Sequence, residues 1–359
     1  MNKLLSLTKN NNFDLFIFLP ILFLISIGIF GIFSVSMRLD EKFEFLIKKH
    51  IIFCLMGLII IFTFSRLSIK NVILISIILF IICIFLSIST IFFFPETKGA
   101  SRWIILFNFS FQPTEILKPT FVILSSLLLG RYKSKRDFSF ILNITLFGLI
   151  SLILLSQPDF GMFILFFCVW IIQILNSNIE KKVILPIIFM FLLAFVLSYI
   201  HLDHVKFRID NFLFSNVGDN YQISKSLESF SNGGLFGQGI GNGIVSKNLP
   251  DAHSDFIYAL IGEEFGFITA LFVLIFYIVI YVRIFIVSKI TKNFFILNSL
   301  IGLGNIFIFQ TIINISSSLN LLPTKGMTLP FISYGGSSII SSSLTIGFIL
   351  TLLNYAKNK

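Results

Sequence analysis

Acidic residues mark the point where the most polar part of the chain, residues 201–255, meets a long apolar run. Asp255 comes directly before that run, and Glu263 and Glu264 follow about two helical turns into it. Partial desolvation at a boundary between water and lipid raises the pKa of a carboxyl group, which suits it to general acid or base catalysis. Asp255 is therefore the candidate catalytic residue. Its structural alternative is an N-cap at the start of a helix.

The neighbours of Asp255 exclude one class of chemistry. His253, Ser254 and Asp255 are consecutive, and three consecutive side chains cannot meet in the geometry of a hydrolytic triad. Glu263 and Glu264 raise a different question, because acidic side chains are costly within an apolar span and usually face a cavity or a partner. We therefore expect Glu263 and Glu264 to face either a cavity or a partner.

A second group of charged residues lies upstream. Glu115 and Lys118 are three residues apart in an apolar run, so they share a helical face and can form an ion pair that makes the burial of both tolerable. The pair is either purely structural or part of a polar cavity. Arg102 precedes Trp103, a residue typical of membrane interfaces, and is either a second anchor or an anion ligand.

Two glycine-containing segments interrupt the apolar pattern. Residues 233–243 lack the Gly-Lys-Ser/Thr ending of a P-loop, so they form either a phosphate cradle of another kind or tight turns at the membrane surface. Residues 322–338 contain two prolines, three glycines and a lysine. Irregular backbone at membrane depth must face protein or water, so this segment is either a re-entrant, cavity-lining loop or an ordinary outer loop.

The composition shows which elements must position these residues. The chain has 359 residues, of which 56% are hydrophobic and 12% charged, and its mean hydropathy is +0.97. Long charge-free runs predict an all-α integral membrane protein, because backbone groups in lipid must bond within each helix. The runs predict ten spans: 15–37, 46–64, 70–94, 114–130, 138–155, 159–176, 182–200, 256–288, 294–318 and 332–356.

The distribution of Lys and Arg predicts the orientation. Placing both termini in the cytoplasm puts more Lys and Arg on the inner side, as the positive-inside rule requires. Residues 1–359 then form a single polytopic domain in which residues 201–255 are a large extracytoplasmic loop between spans 7 and 8. The net charge of +10 therefore reflects topology, and nucleic acid is excluded as a partner because no basic face with interleaved aromatics is present.

Several motifs together resemble one family, the SEDS proteins (shape, elongation, division and sporulation). The resemblance rests on residues 250–266 and 322–338, on Arg102-Trp103 with residues 109–118, and on Tyr221-Gln222 with residues 234–242. The form Leu-Pro-Thr-Lys-Gly at 322–326, with Ala252 before His253, resembles the division class of the family more than the elongation class. The resemblance covers most of the chain and implies the same ten-span fold.

The resemblance implies a peptidoglycan glycosyltransferase that polymerises lipid II on the outer face of the cytoplasmic (inner) membrane during septal wall synthesis. The implied partners are lipid II, a class B penicillin-binding protein acting as transpeptidase, and other membrane proteins of the division machinery. Asp255 matches the essential loop carboxylate, which takes the proton from the acceptor 4-hydroxyl. An elongation polymerase, a lipid II flippase and a non-catalytic division scaffold are the alternatives.

The leaving group of that reaction is a polyprenyl diphosphate, so cations must lie near the site. Residues assigned to substrate binding are Arg102, Glu115, Lys118, Lys49, Arg208 and Lys325. A divalent cation, Mg or Mn, is a possible cofactor, with no metal ligands assigned. Many relatives have an arginine where this chain reads Lys49-His50; lysine supplies charge but no bidentate fork, which puts that phosphate contact in doubt.

Overall fold

The computed structural model describes residues 14–37, 43–97, 99–106, 109–132, 138–177, 179–201, 203–213, 221–324 and 326–357. In these ranges the chain is predominantly helical, which confirms the predicted fold class. The helices are α1 Leu15–Ser36, α2 Phe43–Phe64, α3 Ile69–Phe93, α4 Pro113–Arg131, α5 Phe138–Ser156, α6 Phe160–Leu175, α7 Lys181–His201, α8 Asp203–Leu213, α9 Tyr221–Gly233, α10 Ile257–Glu264, α11 Gly266–Ser288, α12 Phe294–Ser318 and α13 Gly336–Lys357.

Within the described ranges, eight helices are long and apolar enough to cross a membrane. They contain the stretches Leu15–Ser36, Phe45–Phe64, Ile69–Phe93, Phe138–Ser156, Ile184–His201, Gly266–Ser288, Phe294–Ser318 and Gly336–Lys357. Helix α6 is apolar but shorter, and α4 carries the Glu115–Lys118 pair among its buried residues. The protein is thus a multi-pass membrane protein, while the count of ten spans stays a prediction.

The predicted eighth span, 256–288, is wrong as a single helix. It is divided into α10 and α11, and the break falls at Phe265 and Gly266. Gly266 has a φ of +83°, and a Cβ there would lie 2.4 Å from the backbone nitrogen of Gly237. Only glycine permits both this left-handed conformation and the close approach of the second chain segment. The membrane-crossing part therefore begins at Gly266.

The predicted loop 201–255 contains regular structure of its own. Helices α8 and α9 occupy part of it, and a short 3₁₀ turn spans Ser246–Asn248. A second element that the sequence did not predict precedes α4: strands β1 Ile104–Leu106 and β2 Phe109–Phe111 pair antiparallel. The assignment of residues 201–255 to the extracytoplasmic side remains a prediction.

One buried acid joins three helices at the end of the bundle that is predicted to be cytoplasmic. Asp14 is 1% exposed and accepts from Arg283 Nε at 2.9 Å and from Lys357 Nζ at 2.8 Å. Its other oxygen accepts from the backbone N–H of Phe16 and so caps α1. Buried charge is tolerated only when it is paired and hydrogen-bonded, so this contact fixes α1, α11 and α13 relative to one another.

Candidate active site

A cavity of about 550 Å³ lies where the hairpin, the starts of α4 and α6, the turn before α10 and the segment before α13 converge. Four carboxylates line it: Glu115, Asp159, Asp251 and Asp255. Arg102 lines the same cavity, so the structure brings three of the sequence-predicted site residues, Arg102, Glu115 and Asp255, to one place.

Asp255 lies in a tight turn that leads into α10. The N-cap of α10 is Phe256, so Asp255 precedes the cap residue, and the N-cap alternative is wrong. Asp251 shapes the turn: its φ is +55°, and its carbonyl accepts from the backbone N–H groups of Ser254 at 3.0 Å and Asp255 at 3.1 Å. The turn presents Asp255, a half-buried residue, to the cavity.

The backbone of this turn is held from outside at three consecutive carbonyls. His253 O accepts from Tyr334 N at 2.9 Å, Ser254 O from Ser333 Oγ at 2.6 Å, and Asp255 O from Asn314 Nδ2 at 2.9 Å. Two of the three donors belong to the segment before α13, and the third belongs to α12. The position of Asp255 therefore depends on residues that lie far from it in the chain.

Residues 322–338 pack among helices as well as lining the cavity. Leu329, Phe331 and Ile332 are at most 1% exposed, while Thr328 and Ser338 face the cavity. Of the two alternatives for this segment, the cavity-lining loop is the one observed. Three of its backbone carbonyls, those of Met327, Thr328 and Pro330, accept hydrogen bonds from side chains, as buried polar groups require.

A network of side chains connects this segment to α4. The predicted ion pair is confirmed: Lys118 Nζ lies 2.7 Å from Glu115 Oε2. Lys118 also donates to Gln310 Oε1 at 2.6 Å, and Gln310 Nε2 donates to the carbonyl of Thr328 at 2.9 Å. Thr328 Oγ1 is in turn 2.6 Å from Ser338 Oγ. Glu115 lines the cavity, whereas Lys118 is 2% exposed and bonds to Glu115 and Gln310, so Lys118 supports the wall rather than forming it.

Arg102 is bound to the start of α6. Its Nε donates to the carbonyl of Gln157 at 3.3 Å, its Nη2 donates to the carbonyl of Pro158, and Asp159 Oδ2 is 3.6 Å from Nε. Asp159 also caps α6 by accepting from Met162 N at 3.2 Å. Sequence reasoning missed Asp159, although a proline followed by an acid before an apolar run is a helix-start signal.

Gln310 and Asn314 were also missed. They are four residues apart on α12, so they share one face of a helix that is otherwise largely apolar. Asn314 donates to Met327 O at 2.6 Å as well as to Asp255 O. Two amide side chains at this spacing within a membrane span were the signal that could have identified them.

The remaining predicted cations are placed differently. Lys49 Nζ lies 4.0 Å from the ring centroid of Phe45, and Lys49 is not among the residues that line the cavity. Arg208 is on α8, but its side chain lies outside the described part of the structure. Lys325 also lies outside the described residues. Its neighbours Thr324 and Gly326 line the cavity.

Backbone N–H groups within and directly after the glycine-rich segment 233–243 bind carboxylates of the chain itself. Glu263 accepts from the backbone N–H groups of Ile244 at 3.0 Å, Val245 at 2.9 Å and Ser246 at 2.7 Å. Glu264 accepts from Gly241 N at 3.1 Å. These donors are used within the protein, so the phosphate-cradle alternative is not supported, whereas the tight turns are present. Burial raises the pKa of Glu263, but the hydrogen bonds outweigh it and leave that pKa below its ordinary value.

No three His, Cys, Asp or Glu side chains in the described residues are arranged to hold a metal ion. The carboxylates that line the cavity therefore offer no preformed metal site in the part of the chain that the structure describes. We assign no step of the reaction to a metal ion, and the divalent cation stays a prediction.

Comparison with known proteins agrees with the motifs. Residues 14–358 match the FtsW/RodA/SpoVE family model, described as cell cycle protein. Relatives named "Probable peptidoglycan glycosyltransferase FtsW" occur in Coxiella burnetii (31% identical, covering 97% of this chain and 98% of the relative) and in Buchnera aphidicola from Acyrthosiphon pisum (33% identical, 92% and 86%).

Two solved structures share the fold. One belongs to a study of polymerization and crosslinking by a peptidoglycan synthase complex, with a TM-score of 0.74, 21% identity and coverage of 94% of this chain and 97% of that one. The other is the rod shape determining protein RodA of Thermus thermophilus, with a TM-score of 0.71, 20% identity and coverage of 97% and 98%. The family match over nearly all of the sequence confirms the resemblance found in the motifs: the chain belongs to the FtsW/RodA/SpoVE family of cell cycle proteins.

Proposed function

We propose that this chain is a peptidoglycan glycosyltransferase of the FtsW type, which polymerises lipid II into glycan strands with Asp255 as its catalytic base. The single observation that carries the assignment of Asp255 is the turn at 251–256. It presents the half-buried carboxylate of Asp255 to a cavity of about 550 Å³ and is fixed at three consecutive carbonyls. Family membership and the FtsW relatives support the reaction class.

In the proposed reaction two lipid-linked sugars meet in the cavity. The 4-hydroxyl oxygen of the acceptor sugar attacks the anomeric carbon of the donor, and Asp255 takes the hydroxyl proton. A new glycosidic bond forms, the bond between the anomeric carbon and the phosphate oxygen breaks, and polyprenyl diphosphate leaves with the bonding electrons. The glycan grows by one donor unit. Asp255 then releases its proton to water.

Positive charge must offset the developing charge on the diphosphate. Arg102 lines the cavity and is oriented by Asp159 and two carbonyls. Lys325 lies between two cavity-lining residues in the sequence. We assign these two to the diphosphate. Glu115 and Lys118 hold the wall beside it, and Lys49 and Arg208 remain candidate contacts with the lipid-linked substrate.

The biological setting follows from the same relatives. We propose the cytoplasmic membrane at the division septum as the location, with both termini cytoplasmic and the cavity facing outward. A class B penicillin-binding protein is the proposed transpeptidase partner, in keeping with the peptidoglycan synthase complex that shares this fold. Other membrane proteins of the division machinery complete the proposed assembly. The FtsW relatives favour division over elongation.

A lipid II flippase is the alternative from a different class. Such a protein needs a polar path through the whole membrane. In the described structure, the space next to Lys118 is lined by apolar residues and has no room for a water molecule. Its lining residues are Phe121, Val122, Leu165, Phe166, Val169 and Ile306. This observation favours the polymerase, because a lipid headgroup would find no solvated route at this point.

The test uses the full chain, purified with its transpeptidase partner, and labelled lipid II. Wild type should make long glycan strands, and Asp255→Asn should make none above background, because the amide cannot accept the proton. The matched control is Glu228→Gln, an exposed acid on α9, which should polymerise at the wild-type rate. Equal polymer from Asp255→Asn and wild type would remove Asp255 from the chemistry. Absence of polymer from wild type as well would favour the scaffold alternative.

A further inference from the structure

One exposed segment, residues 235–244, differs from the rest of the predicted extracytoplasmic loop. It lies between Glu228 and Lys247, and no charged residue occurs between those two. Its four large apolar side chains point outward, with exposed fractions of 60%, 81%, 43% and 69%. They are Leu235, Phe236, Ile240 and Ile244. We call residues 235–244 the apolar loop.

More than half of the backbone N–H groups of the apolar loop bond within the protein. Six of the ten, those of residues 237–239, 241, 242 and 244, donate to acceptors of the protein. The acceptors are the carboxylates of Glu263 and Glu264 and nearby carbonyls. An irregular segment normally stays out of lipid because its unpaired backbone groups are costly there. Here that obstacle is reduced, since the backbone carbonyls and carboxylates of Glu263 and Glu264 accept from four of the six donors.

The apolar loop continues the exposed surfaces of two membrane spans. The N–H of Phe267 donates to Gly234 O at 2.9 Å, and the N–H of Ile268 donates to Leu235 O at 3.2 Å. Phe267, in the first turn of α11, is itself 57% exposed. On the other side, a Cβ at Gly241 would lie 3.6 Å from the sulfur of Met37, which follows α1 and is 52% exposed. The outward side chains therefore extend the exposed apolar surfaces of α1 and α11, two of the membrane-spanning helices.

We propose that the apolar loop inserts its four exposed side chains into the bilayer leaflet on the side of the cavity. Lack of charge, internally bonded backbone and continuity with lipid-facing helix surfaces are together what such a segment requires. The occupant of this surface is the acyl and headgroup region of the membrane. The turn at 251–256 follows the apolar loop after only six intervening residues, and Leu249 and Phe256 are buried in one cluster with Val35 of α1.

The proposed depth has a consequence for the reacting groups. The diphosphate of a lipid-linked substrate lies at the level of the headgroups. A loop that is anchored in the leaflet holds the turn at 251–256 at a constant height relative to that diphosphate. This consequence rests on the proposed function, whereas the insertion itself does not.

The experiment measures depth directly in the full chain. A nitroxide label is attached at Phe236→Cys, in a background where Cys54, Cys83 and Cys168 are replaced by alanine, and the protein is reconstituted in phosphatidylethanolamine–phosphatidylglycerol vesicles. Electron paramagnetic resonance then compares collisions with oxygen, which concentrates in lipid, and with a water-soluble nickel chelate. The reference label is at Glu228→Cys, an exposed position on α9.

We expect the oxygen-to-nickel accessibility ratio at residue 236 to exceed that at residue 228 several-fold. A second label at Ile244→Cys should behave like residue 236. Equal ratios at residues 236 and 228 would overturn the proposal. Protection of residue 236 that appears only after the transpeptidase partner is added would also overturn it, because the apolar loop would then be a docking surface for that partner. A melting temperature equal to that of the parent chain verifies that each labelled protein is folded. The yield of polymer from lipid II tests the proposed function separately, so that failure of one proposal is distinguished from failure of the other.

Discussion

Two irregular segments flank the turn that carries Asp255, and they are stabilised in opposite ways. Residues 233–246 expose backbone N–H groups, which are bound by the charged carboxylates of Glu263 and Glu264. Residues 322–338 expose backbone carbonyls, which are bound by uncharged amide and hydroxyl groups from Gln310, Asn314 and Tyr277. In each segment the free backbone atoms bond to side chains of the complementary type: N–H groups bond to acceptors, and carbonyls bond to donors.

The difference matters because of where each segment lies. Met327 and Thr328 of the second segment line the cavity beside Asp255, and their carbonyls need hydrogen-bond donors, which an ionised carboxylate cannot supply. The amides of Asn314 and Gln310 bind them without placing a further charge beside Asp255. Glu263 and Glu264 are not among the residues that line the cavity, so their charge can be used for structure. The comparison implies that stability is concentrated in one segment and catalytic geometry in the other.

A large loss of stability is expected from Glu263→Ala. Glu263 accepts four hydrogen bonds, three from backbone N–H groups and one from Asn232 Nδ2 at 2.7 Å. Removing the carboxylate leaves buried donors without acceptors, and we expect a loss of at least about 3 kcal/mol. Unfolding in detergent with heat measures it. Glu228→Ala, an exposed acid, should change stability by less than about 0.5 kcal/mol; similar losses in both variants would contradict the comparison.

Lys118 lies on α4 and is connected to residues 322–338 through Gln310, so its replacement tests whether its charge is purely structural. Lys118→Met leaves Glu115 buried without its cation, for which a loss of about 3–5 kcal/mol is expected. The double variant Lys118→Met/Glu115→Gln removes both charges and should recover part of that loss. A double-mutant cycle on unfolding free energies supplies the coupling. Additive losses would show that the two side chains act independently, against the observed distance of 2.7 Å.

Asn314→Ala should separate geometry from stability. Asn314 donates to the carbonyls of Asp255 and Met327, so its loss frees the turn that carries the catalytic carboxylate. We expect the rate of polymerisation at saturating lipid II to fall about tenfold, equivalent to ~1.4 kcal/mol of barrier, with a smaller change in KM. The control on the same helix is Asn305→Ala, whose amide donates to its own helix at Ile301 O. If both variants lose the same activity, Asn314 has no special positioning role.

The smallest expected effect is a dependence on pH. Glu263 lies on α10, outside the eight spans, and its pKa in the folded protein is lower than its ordinary value of 4.5. Its contribution is therefore present above that value and is lost as pH falls towards the lowered pKa. Between about pH 7 and about pH 4, wild type should lose more thermal stability than Glu263→Gln. Parallel losses in the two proteins would contradict this assignment.

The sequence predicted the parts that depend on local pattern. Charge-free runs identify membrane helices because few other backbone structures are stable in lipid. The spacing of Glu115 and Lys118 places both on one helical face, so the contact between them was predicted. The break at Phe265 was not predicted, since one glycine in an apolar run is compatible with a continuous helix. Its cause is the approach of Gly237, which is distant in the chain. The functions of Glu263 and Asn314 were not predicted for the same reason, because their partners are set by tertiary structure alone.

The contact between Asp14 and Lys357 has a consequence for the order in which the protein is built. The two residues are separated by 343 positions, so the carboxylate near the start of α1 is synthesised long before one of its two cations. Arg283 becomes available earlier and alone can neutralise Asp14 in the nascent bundle. The second cation arrives only with the final turn of α13, and long-range contacts of this kind form late in folding. Closure of α1 against α13 through this contact therefore requires that all the intervening helices have already been synthesised.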